Sequence, residues 1–398
     1  MLLAKIKNRA IVYSLRFLTM LVPRKTPDLL MGEGSAVRLC KLIAGIEISK
    51  LFLVTDKDLT ALGLYTGMVD ALEADGVEVV VFDEVEPNPS EAQIQRGVDL
   101  MRSRSCDAVL AVGGGSVMDA AKVMAGINSS TRTVAQMEGW FKVRGEVLPL
   151  FVVPTTAGTG SEATVAAVVS NPDEKRKYAV LDIRLMPKMA ALDTDLMKGL
   201  PPHITANTGM DALTHAVEAY VSIICDKDSR QAARQAVKLI FGNLHKAYEN
   251  GSDVAARDAM AYASYLAGFA FSQAGVGYVH AIAHQFGGRY HVPHGLANAV
   301  LLPHVLESSK MAARDRLAEL AELIGCTGGS KAAMADAFID RVKLLSQQVG
   351  VPTTLDCIQA GDVESIFEDA QKEAINLYAV PEFFEKPTGE SIVRSLMA

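Results

Sequence analysis

Between residues 50 and 156 short β-rich runs alternate with helical stretches, and beyond residue 203 the strand signal stops. KLFLVTD (50–56) leads into a helical stretch that closes at Asp75-Gly76, and VEVVVFD (77–83) follows as a second run. After the loop EVEPNPS, Ser90 and Gln93 form an S-x-x-Q capping box that opens a helix through about Arg104. DAVLAV (107–112), the turn GGGS, the helix VMDAAKVMAG and LPLFVVPTT (148–156) continue the series. Apolar runs of strand length separated by helices mean βαβ units, and hence a parallel sheet covered on both faces. Two weaker extended runs, around 165–170 and 177–182, flank NPDEKRK and predict a hairpin. From about residue 205 the pattern is helical, as in VAARDAMAYASYLAGFAFSQA (254–274) and RDRLAELAELIG (314–325). The expected organisation is a basic amphipathic arm over 1–27, a Rossmann-like α/β domain over 28–200, and an all-α domain over 201–398. A cleft between two such halves is where a ligand site is expected.

Length and composition agree with this. A chain of 398 residues exceeds the roughly 250–300 at which single cores stop growing. With 49% hydrophobic and 21% charged residues it reads as globular. The net charge of −7 and the lack of a basic stripe with interleaved aromatics argue against nucleic-acid binding. Cys40, Cys106, Cys225, Cys326 and Cys357 are scattered and odd in number, which speaks against a disulfide framework or a thiolate zinc site and for a reducing cytoplasm. The first 25 residues carry Lys5, Lys7, Arg9, Arg16, Arg24 and Lys25 and no acid. Arg16 interrupts the apolar run, against a signal peptide, and length and charge exclude a spanning helix. The segment is expected to pack on the body or on a partner subunit, with weak contact to an anionic membrane as the alternative.

Four of the eight histidines, His280, His284, His291 and His294, fall within fifteen positions. His280 and His284 are four apart and share a helix face, as do Asp211 and His215 in GMDALTHAVEAY (209–220). His294 follows a proline in HVPHG, so it is expected to return from a loop. Each histidine alone would be a hydrogen-bonded, half-buried residue. Together the spacings point to a divalent ion of the Fe(II) or Zn(II) type, because calcium and magnesium prefer all-oxygen shells. In the first half, VGGGSVMDAAK (112–122) sets bare backbone between a strand and a helix, where a pyrophosphate can approach a helix N-terminus. PTTAGTGSEAT (154–164) is a second small-residue loop after a strand, and Asp56 ends the first β run where a carboxylate can accept from a ribose. This is not the G-x-G-x-x-G fingerprint: the acid precedes the glycine loop.

VGGGSVMDAAK, PTTAGTGSEAT, GMDALTHAVEAY and VHAIAHQFGGRYHVPHGLANAVLLPHV, in this order and over about residues 28–398, resemble the signatures of the iron-containing (group III) alcohol dehydrogenases. The resemblance implies the dehydroquinate synthase-like fold: an α/β nucleotide domain, a helical domain and a metal in the cleft between them. It implies Asp211, His215, His280 and His294 as metal ligands and His284 as a histidine near the substrate that does not bind the ion. Asp56, Asn88, Gly114, Gly115, Ser116, Asp119, Thr156, Thr159 and Lys177 match positions at or around the dinucleotide. Many members have proline after the second histidine of the VHxxxH stretch, where this chain has Gln285; His291 takes no ligand role and reads as pocket-lining or structural.

The activity so implied is NAD-dependent alcohol dehydrogenation or aldehyde reduction on small primary alcohols or aldehydes. The metal serves as Lewis acid, the nicotinamide as hydride carrier, and His284 as proton relay. Four protein ligands exceed the three usual for catalytic zinc, which favours Fe(II), with Zn(II) as the alternative. A homodimer or higher homo-oligomer is expected. A dehydroquinate synthase-like lyase would need a basic pocket for a phosphorylated acid, and only Arg289 is basic around 275–300. A non-catalytic member, with the metal merely bracing the fold, is the third reading.

Overall fold

The computed structural model describes residues 6–10, 12–14, 25–172 and 176–398. Two compact units emerge, 25–199 and the remainder, in which 200–398 carries the N-terminal segment with it.

The first unit is built on a six-stranded parallel sheet. Its strands are β1 (Asp28–Met31), β2 (Lys50–Val54), β3 (Glu78–Phe82), β4 (Ala108–Gly113), β6 (Leu150–Pro154) and β9 (Met189–Leu192), in the order β1-β9-β6-β4-β2-β3. A small second sheet has the order β5-β8-β7, with β5 (Gly139–Trp140), β7 (Ala166–Asn171) and β8 (Arg176–Leu181). β7 and β8 pair antiparallel, the hairpin expected from the sequence. Five helices cover the main sheet: α1 (Ser35–Ala44), α2 (Lys57–Ala61), α3 (Thr66–Ala74), α4 (Glu91–Ser103) and α5 (Gly115–Ile127). Side chains alternate along each strand, so Phe52, Val54, Val109, Ala111 and Val152 fill one core, while Leu51, Leu53, Leu110, Val112 and Phe151 fill the other. Ser90 and Gln93 cap α4 reciprocally, as their spacing predicts.

β1 and β9 have no counterpart in the expected elements. Each has four residues, and β1 pairs with β9 alone. Runs this short carry too little periodicity to read; the sheet edge they complete supplies the missing specification.

From β2 the chain proceeds to β3 on one side and then to β4 on the other, so the strand order reverses between β2 and β4. In open parallel sheets ligands bind beyond the carboxyl ends of the strands at such a reversal. Asp56 follows β2 there, and Gly114 and Gly115 follow β4.

The second unit is helical: α6 (Pro202–Val221), α7 (Lys227–Glu249), α8 (Val254–Ala274), α9 (Tyr278–Tyr290), α10 (His294–Leu323), α11 (Lys331–Gln348), α12 (Val363–Leu377) and α13 (Lys386–Ser395). α6 runs through the middle, and every residue from Asp211 to Tyr220 on it is buried. No helix among the described residues is long and apolar enough to cross a membrane.

The described part of the N-terminal segment packs on this unit. The buried Asn8 amide donates to the carbonyls of Ile375 at 2.7 Å and Tyr378 at 3.1 Å, closing the C-terminal end of α12. Arg9 donates to the Val380 carbonyl at 3.0 Å and lies over the Phe383 ring, and Val12 is buried. For these residues the structure shows the packed arm; the rest of that expectation lies outside the described residues.

Candidate metal centre and nucleotide site

α6 presents Asp211 and His215 one turn apart; α9 brings His280; α10 brings His294. One ligand atom from each of the four lies within 4.8 Å of all the others. Asp211, His215 and His280 are buried and His294 is partly exposed. The expected loop for His294 is corrected: α9 ends at His291, a left-handed C-cap with φ 57°, and Pro293 then starts α10, whose first residue is His294. Proline stops one helix and begins the next, because its fixed φ suits a helix start. An imidazole on a helix terminus is held more firmly than one on a loop. His291 itself is exposed and serves the turn.

A carboxylate not anticipated from the sequence organises the centre. Glu218, buried on α6, accepts from the backbone N–H of Gly277 at 2.8 Å and Val279 at 2.7 Å and contacts His280 Nδ1 at 2.6 Å. It therefore caps the N-terminus of α9, which has no side-chain cap of its own, and fixes the tautomer of His280 with the proton on Nδ1. Nε2 then carries the lone pair that a metal needs. Glycine at 277 leaves room for this carboxylate, since a Cβ there would lie 2.8 Å from Glu218 Oε1 and would push it aside. Burial pushes the Glu218 carboxyl up to about 7 against the pull of its donors. Burial, reinforced by the neighbouring imidazoles, drives the His280 pKa far below its ordinary value, so its ring is neutral. One carboxylate and three imidazoles gathered in one cluster fit Fe(II) or Zn(II).

His284 points its Nδ1 at Glu373 Oε1, 2.7 Å away, and Tyr378 donates to the same oxygen at 2.5 Å. Gln285, the departure from the family pattern, adds a long contact of 3.5 Å to Glu373 Oε2. The His284 and His294 rings stack with centroids 5.5 Å apart. His284 thus stands beside the cluster with its orientation set by α12. Glu218 was legible in principle, three positions after His215 on one face; Glu373 gave no signal, lying 89 positions from His284.

In the first unit, the strand ends at the order reversal gather the other expected residues. Gly114 is the N-cap of α5, and a Cβ on Gly115 would lie 2.7 Å from Thr159, so the loop that follows β6 packs directly on this turn. Thr156 neighbours Gly114 in the same way at 3.5 Å. Asn88, at φ 60°, donates its backbone N–H to Ser116 Oγ at 3.2 Å, and its side-chain oxygen accepts from the Lys177 ammonium at 2.6 Å. Asp56 caps α2, accepting from the Leu59 N–H at 2.9 Å. Asp119 turns inward: its carboxylate accepts from Ser161 Oγ at 2.7 Å and Val168 N–H at 2.9 Å. Beside it the fully buried Lys122 ammonium donates to oxygens of Ser161, Thr164 and Ala166 at 2.7–2.8 Å. Burial lowers the Lys122 pKa to about 8 and raises that of the nearby Glu162 to about 7. Asp119 and Lys122 therefore tack the 155–164 loop onto α5.

Lys122→Met is expected to destabilise the 25–199 unit by about 3 kcal/mol, because it strands buried carboxylates without their cation. It should raise the KM for the dinucleotide while leaving metal content unchanged. Thermal unfolding, dinucleotide titration and metal analysis of the variant check this.

Residues 26–194 match the family model described as iron-containing alcohol dehydrogenase, and residues 205–397 match the C-terminal domain of the Fe-containing alcohol dehydrogenase family. The chain is 42% identical over 320 residues to a 1,3-propanediol dehydrogenase of Klebsiella pneumoniae, covering 79% of this chain and 82% of the relative. It is 38% identical over 329 residues to the NAD-dependent methanol dehydrogenase of Bacillus methanolicus, covering 82% and 86%. The solved alcohol dehydrogenase from Oenococcus oeni superposes with a TM-score of 0.90 at 34% identity, over 93% of this chain and 98% of that one. With both halves matched and the metal cluster in place, the chain belongs to the iron-containing alcohol dehydrogenase family.

Proposed function

We propose that the protein is an NAD(H)-dependent alcohol dehydrogenase or aldehyde reductase that uses one divalent ion, Fe(II), and acts on small primary alcohols or aldehydes. The observation that carries this is the convergence of Asp211, His215, His280 and His294. The ion supplies Lewis acidity toward an alcohol oxygen, and the nicotinamide is the hydride acceptor. Glu218 keeps the His280 proton on Nδ1, and Asp211 contributes the negative charge that a divalent cation requires. With Nδ1 of His284 engaged by Glu373, the relay of the alcohol proton falls to Nε2. Relatives named for propanediol and methanol support short alcohols as substrates. Five cysteines without a disulfide among them support a cytoplasmic location. A homo-oligomeric assembly belongs to the same proposal on family resemblance alone.

A lyase acting on a phosphorylated acid is disfavoured by Arg289, whose guanidinium is committed to Asp369 at 2.6 Å and Ser365 at 2.7 Å. A panel of alcohols and aldehydes with NAD or NADH, after anaerobic loading with Fe(II) or Zn(II), tests the reading. Stoichiometric NADH formation supports it; turnover with no net change in the cofactor overturns it. His284→Ala should keep one ion per chain but lose about 10²–10⁴ in kcat, with an altered pH–rate profile. Loss of metal in that variant would instead place His284 among the ligands.

A further inference from the structure

We propose that Glu373, braced by Tyr378, is a positioning residue for the reaction: it holds His284 in the one tautomer and ring orientation that can take a proton at Nε2. This rests on the relay role given to His284 in the proposed function. α9 carries two imidazoles one turn apart, and each sets its Nδ1 on a carboxylate from another helix. His280 meets Glu218 of α6 at 2.6 Å, and His284 meets Glu373 of α12 at 2.7 Å. The same arrangement thus occurs twice, once for a member of the metal cluster and once for a histidine outside it.

The need for such a hold follows from the side chain. A neutral imidazole carries its proton on either nitrogen, and rotation about Cβ–Cγ has a broad, roughly two-fold profile. A half-turn exchanges each ring nitrogen with a carbon. Left alone, His284 would offer a lone pair, an N–H or a C–H where Nε2 now lies. Its ring stacks on that of His294 with the planes 18° apart. Stacking tolerates the half-turn, because the plane is unchanged; the bond to Glu373 does not. A carboxylate only accepts, so the group facing Glu373 Oε1 is an Nδ1–H, and the lone pair is then on Nε2.

Glu373 is fixed in turn. Tyr378 donates to the same oxygen. Burial, with the charges of Glu373 and Glu218, holds the Tyr378 pKa far above its ordinary value, so its hydroxyl keeps its proton and stays a donor. Tyr378 ends α12: its N–H bonds the Ala374 carbonyl at 3.0 Å, and its carbonyl accepts from the buried Asn8 amide at 3.1 Å. For stability alone an apolar side chain of similar volume would serve as well as a half-buried carboxylate. When the alcohol oxygen gives up its proton, the new bond is to Nε2 while Nδ1–H stays on Glu373. That proton later leaves Nε2 for water, which reaches a side chain that is 28% exposed. Neither Glu373 nor Tyr378 changes its protonation state.

The test uses the full iron-loaded chain with NAD and ethanol, comparing wild type with Glu373→Leu, Tyr378→Phe, His284→Ala and the double variant His284→Ala with Glu373→Leu. Iron per chain is measured throughout, and NMR of metal-free protein labelled with 15N at histidine reports the tautomer of His284. Glu373→Leu should keep one ion per chain and its KM for NAD, yet lose about 10–100-fold in kcat, part of which added imidazole restores. Tyr378→Phe should lose less. The double variant should be no slower than His284→Ala, because a residue that acts through another has nothing left to position. In the labelled protein His284 should change from the Nδ1–H form to a mixture of tautomers when Glu373 becomes leucine. Where Glu373→Leu does not fold, Glu373→Met makes the same comparison. A kcat within about threefold of wild type in Glu373→Leu, beside a slow His284→Ala, overturns the proposal. An unchanged His284 tautomer also overturns it, as does an equal loss from Glu373→Leu in the His284→Ala background, which would mark a purely structural role. A His284→Ala chain as fast as wild type overturns the relay reading, and a wild type that forms no NADH from short primary alcohols overturns the proposed function. Both are read without any change at Glu373, which separates them from failure of this proposal.

Discussion

A His280→Ala chain is expected to fold, to bind no stoichiometric divalent ion, and to lose at least about a thousandfold in kcat/KM for alcohol oxidation at micromolar metal. The size of the effect follows from where His280 sits. It is the single ligand contributed by α9, and its ring is made neutral by burial and oriented through the bond to Glu218. No neighbour can replace it: His284, one turn on, has its Nδ1 held by Glu373 from α12. The fold should survive because Glu218 keeps the N–H groups of Gly277 and Val279 and so continues to cap α9. Losing one of three donors on a buried carboxylate costs about 1–3 kcal/mol. Elemental analysis and circular dichroism on the purified variant check both halves of this expectation. Full metal occupancy would remove His280 from the ligand set.

How much of this centre could be read from the chain depended on whether the partners share a helix. Asp211 with His215, and His280 with His284, are one turn apart, and the helical period puts each pair on one face. Glu218 obeys the same arithmetic, following His215 by three positions, but a glutamate in an alanine-rich helix also reads as an exposed residue. What distinguishes it is burial, and burial is set by the neighbouring helices. Glu373 and Lys122 lay further out of reach. Glu373 meets His284 across 89 positions, and Lys122 grips a loop about 40 positions later. Such pairings arise when elements pack, and no local pattern announces them. In the sheet, β2, β4 and β6 were legible because strands buried on both faces are continuously apolar. β1 and β9 were not, because four residues cannot establish a period and their pairing with each other defines them.

The second large effect concerns the choice between NAD and NADP, and it turns on Asp56. The side chain ends the run from β2 at the reversal of strand order and caps α2 through one carboxylate oxygen. Capping leaves the acid with capacity to accept from ribose hydroxyls, because a carboxylate has about four lone-pair sites. Burial raises the Asp56 pKa, and the carboxylates of Asp58 and Asp83 raise it further, so this end of the sheet carries several negative charges close together. A 2′-phosphate brought here meets like charge at short range, at a cost of several kcal/mol where water is largely excluded. The expected preference is for NAD by at least about a hundredfold in kcat/KM, equivalent to about 2.7 kcal/mol. Asp56→Gly separates this role from capping. Glycine is itself a tolerable N-cap, so stability should fall by only a few tenths of a kcal/mol. If the carboxylate merely caps α2, that small loss is the whole result and cofactor preference stays where it was. If it repels the 2′-phosphate, NADP turnover should rise in the variant while NAD turnover falls or holds, and steady-state kinetics with both dinucleotides will show it. A wild-type enzyme that already reduces aldehydes with NADPH as fast as with NADH would end the idea.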